Sequence, residues 1–292
     1  MQPIPRKITK TYPQRGPLQQ FRLTSATAFH CFRCGSSKKS KLITVYGNDW
    51  SKQLCNGCYG RLLSLYEIKT GAGVDDEKAE QLAEQLLSLV SVDNRREAER
   101  LLIASETRAK RLSPEALQFL ATAEHLAKHL NSEPELEWSP VIVGLCKAVE
   151  AEIVNRVIRP LALKTATVDL SDDKMDKDIG RIAAYCADPN RRPPELGSFA
   201  HFLATVIHSQ RRRDTSELIR AFLALTADWV GSQWLLDPNG LNEALRILTI
   251  NYRNKAAHID AMSKADYQRC REIVTGSDGV LWKLDVSLAR HR

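Results

Sequence analysis

The clearest residue pattern for chemistry lies in the six residues 253–258, which read Arg-Asn-Lys-Ala-Ala-His. Arginine is a permanent planar cation whose N–H groups match the oxygens of a phosphate. Histidine changes its protonation near neutral pH, so it can give or take a proton. A cation for phosphate beside a proton-transfer group indicates phosphodiester cleavage without a metal ion. The alternative is structural, because a surface cation and a partly buried ring are common near a helix end, where positive charge is favoured.

This stretch resembles the R-x(4–6)-H signature of HEPN domains, in which a polar residue follows the arginine. HEPN domains are all-helical and occur in toxins, anti-phage systems and RNA-guided CRISPR ribonucleases. The setting adds to the resemblance, because a run of predicted helices from about Ser139 to Leu284 has the length and order of that domain. A helix that opens with Glu195-Leu196-Gly197 is also similar to the Leu-Gly-initiated helix of many members.

The resemblance implies a metal-independent endoribonuclease of the toxin or anti-phage effector type. A 2′-hydroxyl of RNA would attack the neighbouring phosphorus and leave a 2′,3′-cyclic phosphate and a 5′-hydroxyl. His258 would act as general base or acid, Arg253 would stabilise charge on the phosphoryl oxygens, and Asn254 would orient the substrate. Glu150 is a weaker candidate for a supporting role and reads more simply as a surface charge. DNA lacks the 2′-hydroxyl and should resist cleavage.

The spacing of the motif bears on the oligomeric state. Residues five apart on an ideal helix are separated by about 140° around its axis. Arg253 and His258 therefore face one substrate only if the helix ends or bends between them, or if a second copy supplies the missing partner. HEPN domains pair about a two-fold axis, so the resemblance implies a homodimer with a composite site. It also implies a protein partner that either inhibits or activates the enzyme.

Two C-x2-C pairs, Cys31/Cys34 and Cys55/Cys58, are separated by 20 residues. This pattern indicates one structural zinc ion held by four thiolates. Four thiolates leave no open coordination position, so we expect no catalytic metal. A predicted strand, turn and return strand between the pairs, followed by a helix, resemble a treble-clef or zinc-ribbon module. Two alternatives remain open: four reduced cysteines without metal, and displacement of one ligand by His30.

The basic residues are concentrated in the first quarter of the chain. Residues 1–74 contain 12 Lys and Arg and two Asp and Glu, whereas the remainder contains 30 Lys and Arg and 33 Asp and Glu. Such a basic front end predicts contact with phosphate, here RNA. The candidate RNA-binding cations are Lys38, Lys39, Lys41, Lys52 and Arg61, with Phe32, Trp50 and Tyr59 available for base stacking. A second candidate track is Arg211, Arg212 and Arg213, for which the alternative is a helix C-terminal cation cluster.

The composition and the positions of Pro, Gly and Ser predict a mainly α protein. Together with the two resemblances, they divide the chain into four parts. A Pro-containing basic arm over 1–28, extended or mobile, precedes the zinc module at 29–70, a helical spacer or interaction segment at 75–131 and a HEPN-like domain at 139–287. Further predicted elements are strands at 41–46 and 51–54 and helices at 59–66, from 75, at 95–109, 113–130, 139–159, 172–187, 195–210, 214–230, 240–257 and 264–275. His125 and His129 form an i, i+4 pair without an acidic or Cys partner, which favours packing over metal binding.

The sequence also limits the class of protein. No apolar run approaches the ~18–20 residues of a membrane span, and no apolar segment follows the first charges as in a signal peptide, so we expect a cytoplasmic protein without membrane contact. Two other functions compete with the ribonuclease. One is a non-catalytic zinc-containing adaptor that binds nucleic acid or protein and dimerises through its helical part. The other is a sequence-specific DNA-binding regulator, which lacks support because no clear helix-turn-helix segment is present.

Overall fold

The computed structural model describes residues 7–130, 135–258 and 262–287. A four-stranded antiparallel sheet at the N-terminus is followed by a helical body, so the predicted mainly α fold with a small β module is confirmed. The strands are β1 (Ile8–Thr11), β2 (Leu18–His30), β3 (Ser37–Tyr46) and β4 (Asp49–Leu54). Within these ranges, no helix combines the length and the apolar character needed to cross a membrane.

The helices account for most of the remaining described residues. They are α1 (Asn56–Thr70), α2 (Asp75–Leu89), α3 (Val92–Ser105), α4 (Pro114–His129), α5 (Glu135–Ile153), α6 (Arg159–Lys164), α7 (Ser171–Lys174), α8 (Gly180–Ala187), α9 (Leu196–His208), α10 (Gln210–Thr215), α11 (Glu217–Thr226), α12 (Ser232–Leu236), α13 (Glu243–Ile247), α14 (Lys255–Ala257), α15 (Lys264–Thr275) and α16 (Val280–Ser287). A 3₁₀ turn covers Thr107–Arg111, and π-helical segments cover Val154–Ile158 and Leu248–Asn254. The segment Pro238–Asn242 contains a kink at Gly240, whose backbone is not helical.

The sheet has the order β1-β2-β3-β4, and the β3–β4 hairpin confirms the strand, turn and return strand predicted between the cysteine pairs. Its turn contains Gly47 and Asn48, with φ values of 61° and 59°. Two consecutive residues with positive φ suit the tight turns whose twist matches that of paired strands, and glycine and asparagine tolerate this conformation best.

The prediction of an extended or mobile arm over residues 1–28 is wrong for its described part. Strands β1 and β2 occupy much of that segment, and β2 pairs with β3 from Leu18 opposite Tyr46 to His30 opposite Ser37. Pro13 and Pro17 lie in the connection between the two strands, where a missing N–H breaks no ladder. The β module therefore extends from about residue 8, not residue 29. Residues 1–6 lie outside the described ranges.

Helix α5 is the centre of the helical body. Sixteen of its 19 residues are buried, which is the composition expected of a helix covered on all sides. Gly144 allows α2 to pack closely, because a Cβ atom there would lie 2.3 Å from Leu86 Cδ2. This close approach fixes α2, and with it the first turn of α2, against the body.

Two predicted boundaries around α5 are wrong. The helix begins at Glu135 and not at the Ser139-Pro140 pair, and the Ser139 hydroxyl instead accepts a hydrogen bond from Lys69 Nζ at 3.0 Å. The helical path also continues beyond Pro160 to Lys164. A π-helical turn precedes the proline and places it in the first turn of α6, where its missing N–H leaves no hydrogen bond unmade. Between the predicted helical spacer and the predicted HEPN-like domain, residues 131–134 are outside the described ranges.

Most other helix predictions hold in outline. Helices α2 and α4 begin where predicted, and the Ser113 hydroxyl caps α4 by accepting from the Ala116 N–H at 3.3 Å. The helix predicted at 172–187 is instead split into α7 and α8. The Asp176 carboxylate accepts hydrogen bonds from the backbone of Asp178 and Ile179, and this turn interrupts the helix.

Helix α15 spans residues 264–275 as predicted and begins with a capping box. The Ser263 hydroxyl accepts from the Asp266 N–H, and the Asp266 carboxylate accepts from the Ser263 N–H at 2.9 Å. Burial raises the pKa of Asp266, but hydrogen bonds from Ser263 and Arg269 outweigh it and lower the pKa to about 2. The ionised carboxylate therefore stabilises the fold above its unfolded pKa of about 4, and this stability is lost as the pH falls towards 2.

We expect Asp266→Ala to lower the free energy of unfolding by about 1 kcal/mol at pH 7, which is typical for a lost helix cap. The difference from wild type should shrink as the pH falls from about 4 to about 2, where the wild-type carboxylate is also protonated. Urea unfolding at several pH values measures both effects. Asp278→Ala removes an exposed carboxylate from another surface site and should change stability by less than about 0.5 kcal/mol. A difference for Asp266→Ala that stays constant down to pH 2 would contradict the capping argument.

Candidate functional site

The four predicted metal ligands lie together at one end of the β module. Cys31 and Cys34 belong to the turn between β2 and β3, and Cys55 and Cys58 lie at the start of α1. Their Sγ atoms are all within 4.8 Å of one another. Sulfurs around a tetrahedral metal with bonds of about 2.3 Å are about 3.8 Å apart, so this set fits one metal ion with little adjustment. All four are free thiols.

Backbone geometry explains this convergence. Gly35 has a φ of 67° and donates its N–H to the Cys31 carbonyl at 2.8 Å, which closes the first turn. The Cys55 N–H donates to Cys31 Sγ at 3.3 Å and ties the two pairs together. Burial raises the pKa of Cys34, but hydrogen bonds from Ser36 outweigh it and lower the pKa to about 6. A lowered thiol pKa favours the thiolate, the form that binds metal, whereas burial raises the pKa of Cys58.

Arg33 connects the cysteine cluster to the helical body. Its Nη1 lies 3.7 Å from Cys58 Sγ, and its Nε donates to the carboxylate of Glu137 in the first turn of α5. The Glu137 side chain is fully buried, and this burial raises its pKa despite the neighbouring guanidinium. His30 lies outside the cluster, because its Nδ1 is 3.1 Å from the Ser37 hydroxyl on the exposed surface.

The predicted RNA-binding cations of the module are distributed over its surface. Lys38, Lys39 and Lys41 are exposed on β3, where alternation places Lys39 and Lys41 on one face and Lys38 on the other. Lys52 lies 5.6 Å above the Phe32 ring. The remaining candidate, Arg61, is exposed on α1. The exposed members of this set are accessible to a phosphate backbone.

Two of the three arginines after α9 have structural partners. Arg213 donates to the carbonyls of Val206 and Ile207 at 2.6 and 2.7 Å and so caps the end of α9. Arg212 forms an ion pair with the buried carboxylate of Asp176. Arg211 is exposed, and its guanidinium has no polar contact within the described ranges. The alternative of a helix-terminal cation cluster therefore describes this segment better than a track for RNA.

Arg253 does not face solvent. Only 2% of its surface is exposed, and its Nη1 donates to the Asp76 carboxylate and, at 3.2 Å, to Asn254 Oδ1. Burial lowers the pKa of Arg253, but the carboxylates of Glu150 and Asp76 outweigh it and keep the side chain charged. Arg253 thus joins the motif segment to the first turn of α2.

His258 has the opposite environment. Helix α14 ends at Ala257, and His258 has an extended backbone with a φ of −82° and a ψ of 171°. Its side chain is 55% exposed, and Nε2 lies 3.3 Å from the Asp75 carboxylate. The helix thus ends between the two motif residues, one of the conditions that the spacing required. Arg253 and His258 nevertheless contact neighbouring carboxylates, Asp76 and Asp75, and do not face one common space.

His258 lines an open cleft of about 590 Å³. Four of its lining residues come from the end of the π-helical segment, from α14 and from the residue after it. They are Asn251, Asn254, Lys255 and His258. The other side of the cleft includes Asp75, Asp266 and Arg269. The structure therefore brings two predicted catalytic residues, Asn254 and His258, to the cleft and places the third, Arg253, behind it.

Sequence reasoning missed the three charged residues around His258 and Arg253. Asp75 and Asp76 belong to a segment in which no chemistry was expected, and acidic residues in a first helical turn have an ordinary explanation in the helix dipole. Lys255 carried a usable signal, because it is a second cation within the motif, three residues before His258. Glu150, the weaker candidate, accepts from the Leu196 N–H at 3.0 Å and caps α9.

The His125 and His129 rings stack at 4.3 Å, and the His129 ring bonds the His125 carbonyl. Among the described residues, the cysteine cluster is the single group with metal-binding geometry, so this pair belongs to packing.

Comparisons with protein-family models, with curated proteins and with solved structures found no match for this chain. The resemblance to HEPN domains therefore rests on the residues quoted above.

Proposed function

We propose that this chain is a metal-independent endoribonuclease in which His258 transfers the proton. One observation carries the proposal: the His258 imidazole is exposed at an open cleft, with the Asp75 carboxylate 3.3 Å from Nε2 and with Asn254 and Lys255 also lining the cleft. A carboxylate on one ring nitrogen fixes the orientation of an imidazole and leaves the other nitrogen for the substrate. The HEPN-like motif supports the same assignment.

In the proposed reaction, His258 accepts the proton of a ribose 2′-hydroxyl. The 2′-oxygen forms a bond to the adjacent phosphorus, and the bond from phosphorus to the 5′-oxygen breaks. The leaving 5′-oxygen takes a proton from water, and protonated His258 returns its proton to the resulting hydroxide, so the products are a 2′,3′-cyclic phosphate and a 5′-hydroxyl. The Asn254 amide, which is half-buried at the cleft, would hydrogen-bond the substrate.

The resemblance assigns Arg253 to the charge that develops on the phosphoryl oxygens. Its burial and its ion pair with Asp76 support another role. Because Arg253 Nη1 donates to Asn254 Oδ1, it would hold Asn254 in the orientation that the cleft needs. Arg253 is then a positioning residue, and a cation on the cleft side must meet the phosphate.

The remaining parts of the proposal concern the metal and the partners. Cys31, Cys34, Cys55 and Cys58 would hold one structural zinc ion, which cross-links the module and takes no part in the chemistry. The arrangement of turn, hairpin and helix supports a treble-clef or zinc-ribbon module. Its exposed lysines would guide RNA towards the cleft. As the resemblance implies, two copies would pair in a homodimer, and a protein partner would restrain the activity in the cytoplasm.

The test uses an RNA oligonucleotide of mixed sequence and a copy with 2′-deoxynucleotides at single positions. We expect wild-type protein to cleave the RNA in EDTA and to leave cyclic phosphate ends, whereas each deoxy position blocks cleavage at that position alone. The zinc content of the protein is measured before and after, so that loss of fold is not mistaken for a need for catalytic metal. Cleavage at deoxy positions at the rate of the all-RNA substrate would exclude attack by the 2′-hydroxyl.

The burial of Arg253 favours one competing function, the non-catalytic zinc-containing adaptor. In that case the Arg253–His258 motif only stabilises the packing of the helices, and the basic β module alone binds RNA or a partner protein. RNA binding without cleavage under the same conditions would support this function. Stronger binding to duplex DNA than to RNA in a gel shift would support the DNA-binding regulator.

A further inference from the structure

The proposed reaction places extra negative charge on the phosphoryl oxygens, so a cation must reach them from the cleft. Arg253 does not meet this requirement, because it is 2% exposed and its guanidinium is bound to Asp76 and Asn254. The identity of the cleft cation therefore deepens the proposed function and rests on it.

Two basic residues line the cleft, and their surroundings differ. Arg269 donates through Nη2 to the Asp266 carboxylate at 2.7 Å, so its charge is already matched. Lys255 is exposed, and its ammonium group makes no ion pair or hydrogen bond within the described part of the chain. Its charge acts on the Asp266 carboxylate without a direct contact, so Lys255 is the cleft cation that remains available to a ligand.

The position of Lys255 suits a phosphate next to His258. Lys255 is the first residue of α14 and His258 is the residue that follows its end, and both line the cleft. Asn254 also lines the cleft, and the Asp75 carboxylate lies 3.3 Å from Nε2 of the imidazole. The flexible four-carbon stem of lysine adjusts its ammonium group to a phosphate without a fixed fork geometry. The carbonyl end of α14 also favours a positive charge here.

We infer that Lys255 is the residue that contacts the backbone phosphate of RNA in the cleft. The same inference makes Arg253 a positioning residue, which acts through Asp76 and Asn254 and does not touch the substrate.

The test compares Lys255→Gln with Lys164→Gln, which removes an exposed lysine from α6, outside the cleft. The binding probe is a single-stranded RNA with 2′-O-methyl groups, which binds but cannot be cleaved. The slope of log affinity against log salt concentration is negative, and we expect its magnitude to fall by about 0.7 in Lys255→Gln, as for one lost phosphate contact. In Lys164→Gln the slope should stay unchanged. With cleavable RNA, Lys255→Gln should lower the single-turnover rate at least about 10-fold.

Arg253→Met provides the complementary result. We expect it to lower the thermal midpoint and to leave the salt slope unchanged, because it removes a buried cation and no phosphate contact. If Lys255→Gln has the same salt slope and the same cleavage rate as Lys164→Gln, the inference about Lys255 is overturned. Cleavage by the wild-type protein would still support the ribonuclease proposal. If wild type binds but does not cleave, and Lys255→Gln still lowers the slope, the phosphate contact stands and the ribonuclease proposal fails. A lower slope in a stably folded Arg253→Met would also overturn the inference.

Discussion

Replacing His258 with alanine is expected to lower the single-turnover rate of RNA cleavage by a factor of about 10²–10⁴ at neutral pH, the usual contribution of a positioned acid–base group. The fold should not change, because the side chain is 55% exposed and an exposed ion pair contributes only about 0–1 kcal/mol. Rapid mixing of enzyme in excess over labelled RNA measures the rate, and thermal unfolding of the same preparation checks the fold.

His129→Ala is the matched control for this measurement. His129 is an exposed histidine on α4, outside the cleft, so its replacement should leave the rate unchanged. Free imidazole should restore part of the activity of His258→Ala, because it can occupy the space that the side chain leaves. Equal cleavage by wild type and His258→Ala would mean that another site or a contaminant cuts the RNA, and the proposed function would fall.

The loss of the metal site should have the largest effect on stability. Structural zinc contributes roughly 10–16 kcal/mol to the folding of zinc-finger peptides, because the site does not exist in the unfolded chain. Wild-type protein should contain one zinc ion per chain, and Cys58→Ser, which removes a buried ligand, should lose it. The amide hydrogens of β2 and β3 should then exchange rapidly with solvent, and the thermal midpoint should fall by more than about 10 °C.

Cys186→Ser separates metal binding from the general effect of replacing a buried cysteine. Cys186 is 2% exposed on α8 and is not a member of the cysteine cluster. Its replacement should lower the thermal midpoint by a smaller amount and leave the zinc content at one ion per chain. Elemental analysis and hydrogen exchange measure the two effects. An unchanged zinc content in Cys58→Ser would show that the four thiols do not hold the ion together.

Features encoded by neighbouring residues were predictable from the sequence. The two C-x2-C pairs identify the cysteine cluster because each pair is a local turn, and the Gly47-Asn48 turn identifies the hairpin between them. The start of α4 follows from a capping serine and a proline in the first turn.

Features that depend on distant partners were not predictable in the same way. In the sequence, the residues of β2 have the composition of a basic arm flanked by prolines, and only their pairing with β3 makes them a strand. The contact between Asp76 and Arg253 joins residues 177 positions apart, and neither residue reveals the other. The burial of Arg253 follows from this partner and from the packing of α2 on α5, so the motif alone suggested a side chain that faces the substrate.

The link between Arg33 and Glu137 has a consequence for biosynthesis. Glu137 lies 104 residues after Arg33. The cysteine cluster and Arg33 therefore leave the ribosome well before the carboxylate with which Arg33 pairs. A buried carboxylate that has lost its cation destabilises a protein by about 3–5 kcal/mol, so Arg33 favours docking of the first turn of α5 against the β module. If the four cysteines bind a metal ion as proposed, they can do so before the helical body closes on the module. The supply of metal during translation would then set the yield of mature protein.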